Sequence, residues 1–313
     1  MNSFSFSVYR ITINKYLKKK ELENLSNFDN GKNLLGLIDT MFLSWKDEKE
    51  VSPVVKDEKS KKVSRLKKDK NGDWIYHFHQ THIEGIIESG EYGTQEDIIN
   101  VETGLSRYTK TTMDASLVPF YFMLYIEPNS NEGYLILERI GNIGILSIID
   151  KEIRAFISPQ LSQQYTLTIE PYLMPKVLEI NLASSGGAKK VVLKGVKNNQ
   201  FKNFVPSDGF SECTTEVSFI APRNRFIQQF RNVIDALQNK NDDDSYKINN
   251  VECKDVAFEL DINGRRRTIN VAKMTSIGMN VDITNNVELN AAGYPTYKSL
   301  SDEANVILSY LPK

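Results

Sequence analysis

The chain is poor in cysteine and histidine, carries no excess charge of either sign, and lacks any long apolar run. Two cysteines in 313 residues, Cys213 and Cys253, with no histidine near either, cannot build a disulfide framework or a zinc motif. A reduced pair and a cytoplasmic location are expected. Lys plus Arg number 39 against 40 Asp plus Glu, a net charge of -1, which excludes a protein basic over its whole surface. Contact with nucleic acid must then come from segregated patches. No stretch approaches the roughly 18 to 20 apolar residues that a membrane-spanning helix needs. Residues Met1 to Tyr9 alternate polar and apolar and lack the basic and apolar blocks of a signal peptide, so a first strand is expected there. Also missing are the Gly-Lys-Ser/Thr phosphate loop, the Gly-x-Ser-x-Gly elbow, the His-Glu-x-x-His pair and the Cys-x-x-Cys cluster. No cofactor is implied.

What is present is ordinary globular material, 40% hydrophobic and 25% charged, long enough for two domains. Val118 to Ile126 is a short, aromatic-rich apolar run that ends in the turn residues Glu127 to Gly133, as a strand buried on both faces does. Tyr134 to Arg139 is its partner strand. Ile145, Ile148, Ile149, Ile153 and Phe156 recur at helical spacing until Ser158-Pro159 stops them, and Tyr165, Leu167 and Ile169 alternate with threonines in a further strand closed by Glu170-Pro171. Leucines and aromatics between Leu22 and Trp45, interrupted at Asn30-Gly31, suggest helical material. From Lys46 to Gly72 hydrophobicity is low, and a long mobile, lysine-rich loop is expected. The fold class is α/β (α+β), with mixed, largely antiparallel sheets, flanking helices and two sub-domains. The best boundary is the Ser184-Ser185-Gly186-Gly187 stretch, giving an N-terminal domain 1–185 and a C-terminal domain 186–313.

Positive charge gathers in the C-terminal part. Between Ala188 and Val205 stand Lys189, Lys190, Lys194, Lys197 and Lys202 with no Asp or Glu among them. Pro222 suits the first turn of a helix whose apolar face would run from Phe226 to Leu237, placing Arg223 and Arg225 at its N-terminus. Cations are disfavoured there whereas a phosphate is welcome, so a bound anion is one reading, and pairing with nearby carboxylates or plain extension into solvent the other. Further on, Val256 to Ile262 alternates, Asn263-Gly264 is the strongest short hairpin signal, and Arg265-Arg266-Arg267 follows. A two-residue loop sets Ile262 opposite Arg265, Asp261 opposite Arg266 and Leu260 opposite Arg267. Only Arg266 then has an acidic neighbour, and three guanidinium forks at a hairpin tip suit contact with a nucleic-acid backbone, the alternative being a solvated tip. The basic runs at Lys18 to Lys20 and at Lys61 to Lys68 read as solvated charge.

Two constellations could hold a metal ion. All three histidines, His77, His79 and His82, lie close together; His77 and His79 share one face of a strand expected over Trp74 to Gln80, and His82 points away if that strand continues. A third ligand could come from Glu84 or Glu88. The ordinary alternative is hydrogen-bonded strand histidines. The other constellation, one of Asp242, Asp243 or Asp244 with Glu252 and Lys254, has the residue types of a metal-dependent nuclease, and equally those of an acidic turn before a strand.

The succession over Ser116 to Tyr172, a Phe-containing strand, tight turn, strand, Gly-interrupted link, short helix and strand ending Ile169-Glu170-Pro171, resembles the RexA family of phage-exclusion proteins. The strand, basic helix and arginine hairpin order expected after it is similar to the second half of that family. KwaB of the Kiwa defence system is a more distant likeness. The resemblance implies a homodimeric, two-part α/β protein that binds double-stranded DNA through its charge rather than through a helix-turn-helix and signals to an effector, in that family a membrane protein; no base readout is expected of the lysine and arginine patches. Alternatives from other classes are the nuclease and a non-catalytic sensor that binds a phage protein.

Overall fold

The computed structural model describes residues 3–16, 18–46, 55–172, 174, 176, 187–196, 215–223, 225, 227, 245–248, 251–262, 265–270 and 280–312. The chain forms two compact units: unit 1 is Met1–Glu170 with Asn280–Lys313, and unit 2 is Pro171–Met279. The chain therefore leaves unit 1 once and returns to it. The domain expectation differs at both ends: the crossing precedes Ser184 to Gly187, and the last residues belong with the first unit.

Unit 1 is built on β1 (Phe4–Lys15), β2 (Lys18–Leu22), α1 (Leu34–Ser44), β3 (Val55–Asp57), β4 (Lys62–Leu66), β5 (Tyr76–Phe78), β6 (His82–Glu91), β7 (Glu96–Ile99) and β8 (Ser106–Lys110). It continues through β9 (Val118–Ile126), β10 (Gly133–Ile140), β11 (Ile143–Gly144), α2 (Leu146–Ile157) and β12 (Tyr165–Pro171). Unit 2 carries β13 (Ala188–Lys194), β14 (Glu216–Ile220), β15 (Tyr246–Ile248), β16 (Val251–Cys253), β17 (Asp255–Ile262) and β18 (Arg265–Asn270). Then β19 (Asn280–Asp282) and α3 (Tyr297–Leu308) complete unit 1. The expected class is what forms: mixed α/β, with antiparallel pairing throughout the described registers.

The main sheet runs β12-β1-β10-β9-β6-β4-β3, with β11 on β10, β2 and β19 on β1, and β5 on β6. Its centre is apolar on both faces because the central strands are continuous apolar runs: Phe120, Tyr121, Phe122, Met123 and Leu124 are all buried. Consecutive residues serve opposite faces. Phe122 stacks on Phe42 of α1 at 4.7 Å between ring centroids, whereas Tyr121 lies 6.1 Å from Tyr297 of α3. Helix α1 starts where the Asn33 side chain accepts the Gly36 N–H. Gly85 is required by crowding, since a Cβ there would stand 2.6 Å from the carbonyl oxygen of Ile75, the residue before β5.

The Lys46 to Gly72 stretch departs from its expectation. Residues 47–54 lie outside the described residues, but β3 and β4 then form a hairpin that extends the sheet from β6. Ser64 and Leu66 turn inward, and the charges that give the stretch the composition of a solvated loop meet acids across the strands: Arg65 with Glu88 at 2.9 Å, Lys67 with Glu88 at 3.3 Å, Lys62 with Glu91 at 3.8 Å. Backbone pairing to a formed sheet supplies order that composition alone does not disclose.

Candidate functional site

The three histidines meet because the chain reverses tightly at Gln80-Thr81, at the end of the strand expected over Trp74 to Gln80. Strand β5 is only three residues long, the His79 N–H donates to the His82 carbonyl at 2.8 Å, and Gln80-Thr81 is the loop between them. Its Thr81 carbonyl accepts the Ile126 N–H at 2.8 Å, which ties the loop to the end of β9. In this register His77 pairs with Glu84, so His77, His79, His82 and Glu84 share one face. His82 thus does not point away from His79: the two rings stack, 4.2 Å between centroids and 21° between planes. His77 stands farther off, 6.4 Å from the His79 ring, and lies against Tyr297.

Glu84 is the buried member of the group. One carboxylate oxygen accepts the Tyr121 hydroxyl; the other faces both rings, 3.6 Å from His79 Nε2 and 3.9 Å from His82 Nε2. Burial alone would raise its pKa, but the polar groups of His82, Tyr121, Ser301 and Tyr297 outweigh burial and hold it down to about 2. His79, His82 and Glu84 each present a ligand atom, and these atoms lie within 4.8 Å of one another. Glu88, the other acid considered as a third ligand, is engaged by Arg65 and Lys67 instead.

Tyr121 links this cluster to a second buried carboxylate. Its backbone N–H donates to Glu138 Oε2 at 2.8 Å, just where β10 parts from β9, while Glu138 Oε1 is buried with no hydrogen-bond partner among the described residues. Burial pushes the Glu138 pKa up to about 7, opposed by the Tyr121 N–H. Sequence reasoning selects none of Tyr121, Tyr297, Ser301 and Glu138 as part of a site. The one available signal is a Glu in the middle of the apolar Tyr134 to Ile140 run.

The basic residues of unit 2 are placed as follows. In the sheet β14-β13-β17-β18, strand β13 is internal, with Val191 and Leu193 buried and Lys190 and Lys194 on the alternate positions. Lys190 pairs with Ile220 and Glu259, and Lys194 with Glu216 and Asp255. The acid-free sequence around these lysines is therefore supplied with carboxylates by the flanking strands. Lys189 Nζ donates to the Arg225 carbonyl at 3.0 Å. Lys197 and Lys202 lie outside the described residues. The helix expected from Pro222 does not start there: the Arg225 N–H turns back to the Pro222 carbonyl, and Ile227 exchanges two backbone hydrogen bonds with Ala188, as a bridged extended residue does. Pairing with Ala188 claims the N–H and C=O that a helix would use, so Arg223 and Arg225 occupy a turn; the remainder to Leu237 lies outside the described residues. Strand β18 pairs with β17 in the expected register, Ile262 with Arg265, Asp261 with Arg266, Leu260 with Arg267.

Of the nuclease-like set, Asp242, Asp243 and Asp244 lie outside the described residues. Glu252 accepts the Ser245 hydroxyl at 2.8 Å, and the Lys254 N–H donates to the Lys194 carbonyl. Cys253 is a buried free thiol whose pKa burial, with Asp255 and Glu252, pushes up to about 11. Among the described residues no helix is long and apolar enough to cross a membrane. No protein-family model and no curated protein matches the chain.

Proposed function

We propose that this chain is a cytoplasmic, homodimeric component of a phage-exclusion system that holds double-stranded DNA by its phosphate backbone and passes the bound state to a membrane-protein effector. The observation that carries the binding reading is the place of Arg265-Arg266-Arg267: three consecutive arginines on β18, the outer strand of its sheet among the described residues, with a single acidic cross-strand partner there, Asp261. An outer strand brings its residues to a ligand without parting a sheet, and arginine gives phosphate a planar fork of donors. The β13 lysines are secondary in this reading, because Glu216, Asp255 and Glu259 stand beside them. The exclusion role is supported by the order of β9, β10, α2 and β12, the succession in which the likeness to RexA resides.

The test is binding of a labelled duplex across a salt series, with magnesium present and the DNA recovered. Three phosphate contacts give a log-log slope of about -2.7, whereas engagement of all the basic residues from Lys189 to Lys202, with Arg223, Arg225 and Arg265 to Arg267, would approach about -9. Arg265→Ala with Arg267→Ala should flatten the slope to about -1, and Lys190→Ala with Lys194→Ala should leave it within about 0.5 of the starting value. Salt-insensitive binding, or none at low salt, would overturn the reading in favour of a protein-binding sensor. Recovery of cleaved DNA would overturn it in favour of the nuclease.

A further inference from the structure

We infer that His79, His82 and Glu84 form a binding site for a divalent transition-metal ion of the zinc class, on a different unit from the arginine strand and independent of the nucleic-acid reading. The geometry fits an ion better than a hydrogen-bonded pair. Glu84 Oε1 faces both Nε2 atoms at 3.6 and 3.9 Å, too far for the hydrogen bonds of about 2.7 to 3.2 Å that imidazole donors make to a carboxylate. Two ligand atoms each about 2.0 to 2.1 Å from one zinc ion at a tetrahedral angle stand roughly 3.3 to 3.5 Å apart. The two Glu84–imidazole separations are a few tenths of an ångström from that, all three ligand atoms lie within 4.8 Å of one another, and the half-exposed His79 side chain is free on its solvent side to close the remainder.

The ligand types make the same choice. Two neutral imidazoles and one carboxylate suit zinc and its neighbours in the first transition row, whereas calcium and magnesium take oxygen-rich shells. The support behind the ligands is in place: Tyr121 holds the carboxylate oxygen that does not face the histidines, and the stacked rings of the tight hairpin fix each other's planes. Three protein ligands leave a fourth position for water or another oxygen ligand, on the side where His79 meets solvent. His77 is outside the set, being turned to Tyr297.

The test uses the untagged full-length chain, stripped with chelator and desalted, titrated with zinc chloride by calorimetry and with cobalt chloride by visible absorption. The expected result is one ion per chain, intense tetrahedral cobalt bands, and affinity at least about tenfold weaker in His79→Ala and in Glu84→Gln. His77→Ala is expected to bind within about twofold of the parent, since it removes no ligand. His79 is exposed and its replacement leaves the core intact, so tryptophan emission and thermal melting of His79→Ala verify that any loss is not misfolding. Sub-stoichiometric binding, affinity unchanged in His79→Ala and Glu84→Gln, or a loss in His77→Ala as large as theirs would overturn the assignment.

Discussion

Replacing Glu138 by Gln should stabilise unit 1 above neutral pH and do little below pH 5. The carboxyl is fully buried, accepts one backbone N–H from Tyr121, and has its other oxygen without a partner among the described residues. Burial raises its pKa from the ordinary 4.5 to about 7. The sign follows from proton binding: between those values the folded chain holds a proton that the unfolded chain has released, so stability falls as pH rises from 4.5 to 7 and levels off above it. At 1.36 kcal/mol per unit the penalty at pH 8 is about 3 kcal/mol. Gln is neutral at every pH and its amide oxygen can accept the same N–H, so it should recover about 2 to 3 kcal/mol, the amide nitrogen inheriting the place of the partnerless oxygen. For a unit of roughly 200 residues that is about 4 to 12 °C in melting temperature. Trp45 and Trp74 are the chain's two tryptophans and both belong to unit 1, so their emission follows the unit that contains Glu138. Melts of parent and variant at pH 5 and pH 8 decide the matter. An equal gap at the two pH values, or a variant less stable at pH 8, would refute the reasoning.

Gly90→Ala should lower the melting temperature of the same unit, because a Cβ there would stand 2.2 Å from the Ser116 carbonyl oxygen, which is backbone and cannot swing aside; a cost of about 1 to 3 kcal/mol or more is expected, and an unchanged melt would disprove it. Tyr121→Phe deletes the hydroxyl that Glu84 accepts and should cost about 1.5 to 3 kcal/mol at pH 7. Because Glu84 is held down to about 2, its contribution is full above pH 4.5 and lost as pH falls through 2, so the gap between parent and Tyr121→Phe should narrow between pH 4.5 and 2; melts at pH 7 and pH 3 with a constant gap would contradict this.

The parts of the fold legible in the sequence are those fixed by local signals. Val118 to Ile126 and Tyr134 to Ile140 are apolar runs punctuated by turn residues, and Asn263-Gly264 sets the β17–β18 register by the length of its loop. The Gln80-Thr81 reversal has no such marker: no Gly, Asn, Asp or Pro occurs there, only the polar run His79-Gln80-Thr81-His82, which interrupts the alternation without setting the length of the turn. What turns the chain is a tertiary bond, the Ile126 N–H on the Thr81 carbonyl. Continuing the strand through this loop would set His82 on the wrong face, and it is the two-residue reversal that brings two imidazoles and Glu84 together. Tyr297 and Ser301 reach Glu84 from the far end of the chain, after the whole of unit 2, where no local spacing connects them.

Charge misleads by the same mechanism in both directions. The Lys61 to Lys68 run has the composition of solvated charge and is tied to Glu88 and Glu91 of β6; the Lys189 to Lys194 run is free of acids in sequence and lies between strands that bring Glu216, Asp255 and Glu259. In an antiparallel sheet the residues nearest a side chain are those across the ladder, about 4.5 to 5.5 Å away between Cβ atoms, whereas the next residue along the chain points to the other face. A lysine's electrostatic neighbours are therefore chosen by register, and a window of sequence sums charges that never share a surface. The same rule is why the proposed phosphate contacts are Arg265 and Arg267 rather than the β13 lysines: their cross-strand partners are Ile262 and Leu260 and, among the described residues, β18 has no strand on its other side.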